Sequence, residues 1–231
     1  MKRFWKEVAV AQAAGGWQVT LDGRPLKTQG GAQQVVPNAA LAGLLAAEWR
    51  AQGAEIDPRG FPLRDLTDFA LDKVAADREG MIARLLRFAE TDTLCYRAHP
   101  DEPLFRHQIA LWEPLLEACE ARHGVEFERV SGIAHRAQPP ATLAALQGAL
   151  GELDSFTLAA LTTLASLAAS LVAGLAALEP GADVDEVFAA SNAEEDWQAQ
   201  QWGWEEEAER VRALRLAAFR TAAEFARAVR V

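Results

Sequence analysis

The chain is short of sulfur, of basic charge and of the motifs that hold nucleotides or metals. Its 231 residues include only two cysteines, Cys95 and Cys119. They are far apart, and neither has a second cysteine at metal or redox spacing, so each reads as a small apolar filler rather than a staple or nucleophile. Lys and Arg number 23 against 33 Asp and Glu, a formal charge of −10. That balance opposes a phosphate backbone and directs attention to a neutral or basic protein partner instead of nucleic acid. There is no Gly-x-x-x-x-Gly-Lys loop and no Gly-x-Gly-x-x-Gly turn, so neither common cradle for nucleotide phosphates is present and no nucleotide is expected to bind. His-Glu-x-x-His, Cys-x-x-Cys and Gly-x-Ser-x-Gly are also missing, which removes the usual zinc, redox and esterase signatures. The four histidines, His99, His107, His123 and His135, share no helical ligand spacing beyond the loose 99/107 pair and read as surface or capping groups. Neither a metal nor a cofactor is expected.

One long uncharged run contests a soluble reading. Phe156 to Leu178 is 23 residues without a charge, long enough for the roughly 30 Å hydrocarbon layer of a membrane. Eight alanines, three threonines, two serines and Gly174 make it only weakly apolar, and its flanks carry Glu152, Asp154, Glu179 and Asp183 with no basic anchor. Leucines at 158, 161, 164, 167, 171, 175 and 178 draw one stripe in steps of three and four. This predicts a helix buried on several sides in a soluble protein, with membrane docking through 156–178 as the rival. The start, Met1-Lys2-Arg3-Phe4-Trp5-Lys6, has charges where a signal peptide would be apolar, and a cytoplasmic protein is expected.

Half of the residues are hydrophobic, enough to bury a core in one large or two smaller domains. Residues 4–36 read as short extended runs, Val8 to Ala11, Trp17 to Leu21, Arg24 to Thr28 and Gln33 to Val36, broken by Gly15-Gly16, Asp22-Gly23 and Gly30-Gly31. Asp-Gly between alternating apolar runs is a hairpin signal. After Pro37 the period changes: Asn38 can cap a helix to about Gln52 with Gly53 closing it, and helical spacing runs from Pro62 to Val74 and from Met81 to Phe88. Further helices are predicted at 102–122, 140–152, 155–178, 184–202 and 205–229, with Gly124 to Val130 a short strand or extended linker. The fold class is therefore α+β. A small β-rich domain covers 1–37, or as far as about residue 60, and a mainly helical domain covers 38–231.

The stretch Glu194-Glu195-Asp196-Trp197-Gln198-Ala199-Gln200-Gln201-Trp202-Gly203-Trp204 is the most distinctive in the chain. At about 100° per helical residue, Glu195, Gln198 and Trp202 fall in one narrow arc, joining a charge, an amide and an indole. It reads either as a solvated acidic face beside a packed tryptophan or as a recognition surface for another protein. Trp202 itself is expected to pack. Glu205, Glu206 and Glu207 read as acids in the first turn of the last helix, at the positive end of its dipole. An enzyme would have to rest on carboxylates, with Glu194 or Glu195 paired with Asp92 as general acid and base; a carboxylate-based hydrolase is the second rival reading.

Several stretches, in order along nearly the whole chain, resemble one family. They are Arg3-Phe4-Trp5-Lys6, Leu21-Asp22-Gly23-Arg24-Pro25-Leu26-Lys27-Thr28, Glu48-Trp49-Arg50-Ala51-Gln52, Ile56-Asp57-Pro58, Thr91-Asp92-Thr93-Leu94-Cys95-Tyr96-Arg97-Ala98, and Glu194-Glu195 through Gln198 to Trp202-Gly203. Together they resemble the assembly chaperones of the F-type ATP synthase that act on its alpha subunit. Departures are Gln29 where proline is common, Phe61 where methionine is common, and the stretch from Arg64 to Phe69. The resemblance implies a non-enzymatic, ATP-independent chaperone that holds the free alpha subunit until the beta subunit replaces it, in the cytoplasm here and in mitochondria for eukaryotic relatives. It also implies that an acid of the Glu-Glu motif matters, Glu194 or Glu195, with Glu195 favoured because it shares a face with Gln198 and Trp202. Asp92 and Arg97 complete the expected partner-binding set, against the alternative that Asp92, Tyr96 and Arg97 form an internal polar network.

Overall fold

Asp22 and Gly23 make the turn that their sequence announces, with φ of 49° and 78°, both in the left-handed region that a tight hairpin turn of this kind requires. The Asp22 carboxylate is fixed by the backbone N–H groups of Lys6 and Glu7 at 3.0 and 2.8 Å. Those two hydrogen bonds hold its carboxyl below the ordinary carboxylate range. Around this turn the computed structural model, which describes residues 1–132 and 134–230, builds a small antiparallel sheet. Strand β2 (Gly16–Leu21) pairs along its length with β1 (Val8–Ala13), and pairs with β3 (Arg24–Pro25) at Thr20 and Leu21 and with β4 (Val35–Val36) at Trp17 and Gln18. The two later strands are shorter than their apolar runs suggested. The fold is α+β, the small N-terminal sheet being followed by a larger helical part.

Two compact units divide the chain. The first comprises Met1–Arg78, Asp154–Ala160 and the residues from Glu224 on; the second comprises Glu79–Leu153 and Leu161–Ala223. In the first unit, helix α1 (Ala39–Ala51) starts where the Asn38 side chain accepts from the Leu41 N–H at 2.9 Å, and it buries Leu41 and Leu45 completely or nearly so. Glu48 accepts from the Leu63 and Arg64 N–H groups at 2.6 and 2.9 Å, capping helix α2 (Pro62–Phe69), which continues as a π-helical stretch, Ala70–Val74. The loop after β3 is clasped by this helix. Asp72 accepts from the Thr28 hydroxyl and the Gly30 N–H, and Asp68 from the Gln29 N–H at 3.0 Å. A proline at 29 has no N–H to give. A Cβ at Gly30 would stand 2.7 Å from the Asp72 carboxylate, so a larger residue there must displace that side chain and its hydrogen bonds. Trp5 meets Trp49 edge to face at 5.0 Å and Trp49 meets Phe61 in a tilted contact at 4.6 Å, with the Arg64 guanidinium 4.2 Å from the Phe61 ring.

The second unit is built from α3 (Arg78–Glu90), α4 (Pro103–His123), α5 (Pro140–Gly151), α6 (Ser155–Ala168), α7 (Leu171–Ala177), α8 (Val184–Ser191), α9 (Ala193–Trp202) and α10 (Glu206–Val229), with α3, α6 and α10 contributing part of their length to the first unit. A parallel pair, β5 (Tyr96–Arg97) with β6 (Val130–Ser131), supplies its only strands among the described residues. Its core is Leu85, Leu94, Trp112, Leu116, Leu146, Leu164, Phe188 and Phe219, and the Trp112 indole donates to the Ala190 carbonyl at 2.7 Å.

Two predicted helices are each broken in two. The stretch 155–178 is interrupted at Ala169, whose φ is 49°, and restarts where the Ser170 hydroxyl accepts from the Ala173 N–H at 2.9 Å. Unbroken leucine spacing gave no sign of this, because the break is made by a cap and by a contact distant in sequence. Helix α7 lies so near α6 that a Cβ on Gly174 would meet Leu161 and Ala165 at 3.0 and 3.1 Å. Among the described residues no helix is long and apolar enough to cross a membrane. The stretch 184–202 breaks at Asn192, whose side chain donates back to the Phe188 carbonyl at 2.8 Å.

Candidate functional site

The break at Asn192 leaves Glu194 to Trp202 inside one helix, α9, so the arc read from the sequence survives on a shorter element. Three acids, Glu194, Glu195 and Asp196, occupy its first turn, where unsatisfied N–H groups favour negative charge. Gly203, with φ of 85°, closes the helix by donating to the Ala199 carbonyl at 2.8 Å. Only Trp204 and Glu205 then separate it from α10.

Each acid is anchored differently. Glu194, exposed, accepts from the Gln108 amide at 2.6 Å. Gln108 is fully buried on α4 and accepts the Ala98 N–H at 2.8 Å. Glu195 is half-buried and faces Arg215 of α10 at 3.2 Å. Arg215 is itself held more tightly, by the Asn192 side-chain oxygen at 2.6 Å and the Leu167 carbonyl at 3.1 Å. Asp196 takes both ends of the Arg212 guanidinium, one of them at 2.6 Å, and Arg212 lies over the rings of Phe188 and Trp204. Thr93, Ser191, Asn192, Glu194, Glu195, Gln198 and Arg215 line an open depression of about 300 Å³.

The aromatic placement corrects an expectation. Trp202, expected to pack, is 80 % exposed. The tryptophan that secures this helix is Trp197, whose ring stacks on His107 of α4 at 5.1 Å. Both lie on the same helix, but Trp197 meets a ring of α4 whereas Trp202 stands exposed in the last turn.

The other predicted residues sit inside. Asp92 has no exposed surface; its two oxygens accept from the Leu94 N–H at 3.1 Å and the Val172 N–H at 3.0 Å. Burial pushes its carboxyl up to about 6, against the lowering effect of the Ser170 hydroxyl and these N–H groups. Arg97 is 8 % exposed and pairs with Glu113, which shares Arg129 with Glu120. Burial opposes ionisation of Glu113, but the hydrogen bonds from Arg129 and Arg97 together outweigh it and hold its carboxyl below the usual range. Tyr96 meets the His135 ring nitrogen at 3.1 Å. Cys95 and Cys119 are buried and unpaired by disulfides, and burial pushes the Cys119 thiol up to about 12.

Sequence reading missed Gln108, Asn192, Arg212 and Arg215, the groups that fix the α9 acids. Only Arg212 and Arg215 carried a signal, since they lie three apart on a helix that follows an acidic one after a glycine.

Taken together, the molecule carries a short acidic helix with an exposed indole, its acids held by buried or half-buried partners. The sequence profile described as "ATP12 chaperone protein" matches residues 2–120. Protein atp12, mitochondrial, of Schizosaccharomyces pombe is 30 % identical over 223 residues, 91 % of this chain and 76 % of the yeast protein. The crystal structure of Atp12 from Paracoccus denitrificans superposes with a TM-score of 0.93 at 37 % identity, covering 99 % of this chain and 98 % of that one. The Atu1473 protein of Agrobacterium tumefaciens gives 0.94 at 38 %, covering 98 % and 85 %. The chain belongs to the ATP12 chaperone family.

Proposed function

We propose that this chaperone binds the free alpha subunit of the F-type ATP synthase through α9, shields its subunit interface, and releases it to the beta subunit as the catalytic hexamer assembles. The observation that carries the reading is the row Glu194, Glu195, Gln198 and Trp202, whose 80 % exposed indole stands beside acids anchored from behind. A large exposed aromatic group is costly to leave in water and is a common centre of binding energy at interfaces. An alpha subunit without its neighbours exposes the apolar surface of an obligate interface, which invites aggregation until something covers it. A cover weaker than the finished ring is displaced by mass action, with no need for ATP.

Asp92 and Arg97 we assign to support within the same reading. They hold the start of α7 and the β5 strand, elements of the unit from which α9 is presented. This assignment favours a non-enzymatic protein, because the aspartate that would complete an acid and base pair is sealed from solvent and occupied by two backbone N–H groups.

The test uses purified components. Immobilised chaperone should retain isolated alpha subunit without nucleotide and reduce its aggregation, and added beta subunit should elute it. Failure to retain alpha subunit at micromolar concentration would overturn the proposal.

A further inference from the structure

Among the described residues six large apolar side chains are exposed, Met1, Phe4, Trp202, Trp204, Val211 and Leu214, and four of the six fall between residues 202 and 214. That concentration is the α9–α10 hairpin. Its register is set by two ion pairs: Asp196 meets Arg212, while Glu195, one residue earlier, meets Arg215, three residues later. The order is antiparallel. Moving along α9 from Glu195 through Gln198 to Trp202 therefore runs beside α10 from Arg215 through Val211 toward Ala208, each step close to one helical turn. Val211 accordingly falls on the flank of the hairpin that carries the proposed recognition row, and Leu214 adjoins it three residues on.

Val211 also shares a stripe with Ala222, eleven residues or about three turns further along. Ala222 is fully buried, whereas Val211 is 42 % exposed and Leu214 59 %. The face of α10 that is core at one end is thus bare at the other, where none of the described residues covers it. The setting is acidic: between Glu194 and Arg215 seven acids accompany three arginines, and Arg210, Arg212 and Arg215 are each already paired within the hairpin, with Glu207, Asp196 and Glu195. The carboxylates of Glu205, Glu206 and Glu209 stand on exposed residues.

We infer that Val211 and Leu214 extend the recognition face from α9 onto α10, and that its occupant is an apolar segment of the unassembled alpha subunit flanked by lysines or arginines. The inference rests on the alpha-subunit reading above. Apolar contact with Trp202, Val211 and Leu214 supplies the affinity, and the acidic rim selects the basic flank and speeds encounter.

The experiment measures retention of purified alpha subunit by the immobilised full chain at low and high salt. Three proteins are compared: wild type, Val211→Ser with Leu214→Ser, and the control Ala213→Ser on the other flank of α10. Wild type and control should bind alike and weaken as salt rises, while the double variant should bind about tenfold or more weaker with an unchanged melting profile. If the double variant unfolds, Leu214→Asn alone gives the reading, with the same expected loss. Wild-type binding that the apolar variants leave intact would overturn this inference and spare the alpha-subunit reading. Binding indifferent to salt would overturn the basic occupant. No wild-type binding at all would overturn the function, and this extension with it.

Discussion

The segment from Asp92 to Arg97 and helix α9 carry the same kinds of side chain: a carboxylate, a second polar group and an aromatic ring. In the first the polar groups are turned inward. Asp92 is sealed against the N–H groups of Leu94 and Val172, and Arg97 is 8 % exposed against Glu113. In the second, Glu194, Gln198 and Trp202 are exposed, and only the stems of the arrangement, through Gln108 and Arg215, reach into the unit. Residue type does not separate the two regions; what separates them is exposure, Asp92 and Arg97 of the first being closed to solvent and the second open to it, as the proposed presenting role requires.

That contrast is broken most forcefully at Asp92. Asp92→Ala leaves two N–H groups without acceptors at a site closed to water, and should cost roughly 3–5 kcal/mol in chemical denaturation. A loss below about 1 kcal/mol would show that the two regions are not different in kind.

Acidity sharpens the same contrast. The folded protein holds the Asp92 proton up to about pH 6, whereas the ordinary value is 3.8. Between these values the folded state binds a proton that the unfolded chain has released, so the contribution of Asp92 to stability is largest below about pH 4 and falls as pH rises to 6, staying low above it. Relative to Asp92→Asn, wild type should therefore lose on the order of 2 kcal/mol between pH 4 and pH 7. The comparison with the variant removes contributions of the opposite sign from Glu113 and Glu120, whose carboxyls lie below their usual range. A flat difference across that range would refute the shifted carboxyl.

Arg215 stands between the two regions. Arg215→Ala removes the bonds to Asn192 and Leu167 and frees Glu195; about 1–2 kcal/mol of stability should go, together with much of the alpha-subunit binding. Lysine should not restore it, because a single ammonium lacks the fork that reaches three acceptors. The smallest effect belongs to Trp202→Ala. With its indole 80 % exposed, denaturation should shift by less than about 0.5 kcal/mol, while binding falls. A larger loss of stability would place the indole in the core after all.

Much of the fold could be read from local pattern, because Asp22-Gly23, Asn38 and Pro140 each act on their own neighbours. The breaks at Ala169 and Asn192 could not. They depend on Ser170 and Asn192 choosing backbone partners, and on Asp92 reaching Val172 across 80 positions, choices that periodicity does not record. At the site, the α9 row was legible because one helix contains it. Its anchors were not, since Gln108 lies 86 positions away from Glu194, and Trp197 and Trp202 look alike in sequence although only one finds a ring to stack on.

The most direct test of the presenting face is Glu195→Lys, with alpha-subunit binding and thermal melting measured on the same preparation. Lysine beside Arg215 replaces an ion pair about one-third exposed with a repulsion that solvent screens, so stability should fall by no more than about 1 kcal/mol. Against a basic partner the reversed charge should weaken binding about 30-fold or more. Normal binding by Glu195→Lys, or binding lost only in step with unfolding, would contradict the account and make α9 a structural helix.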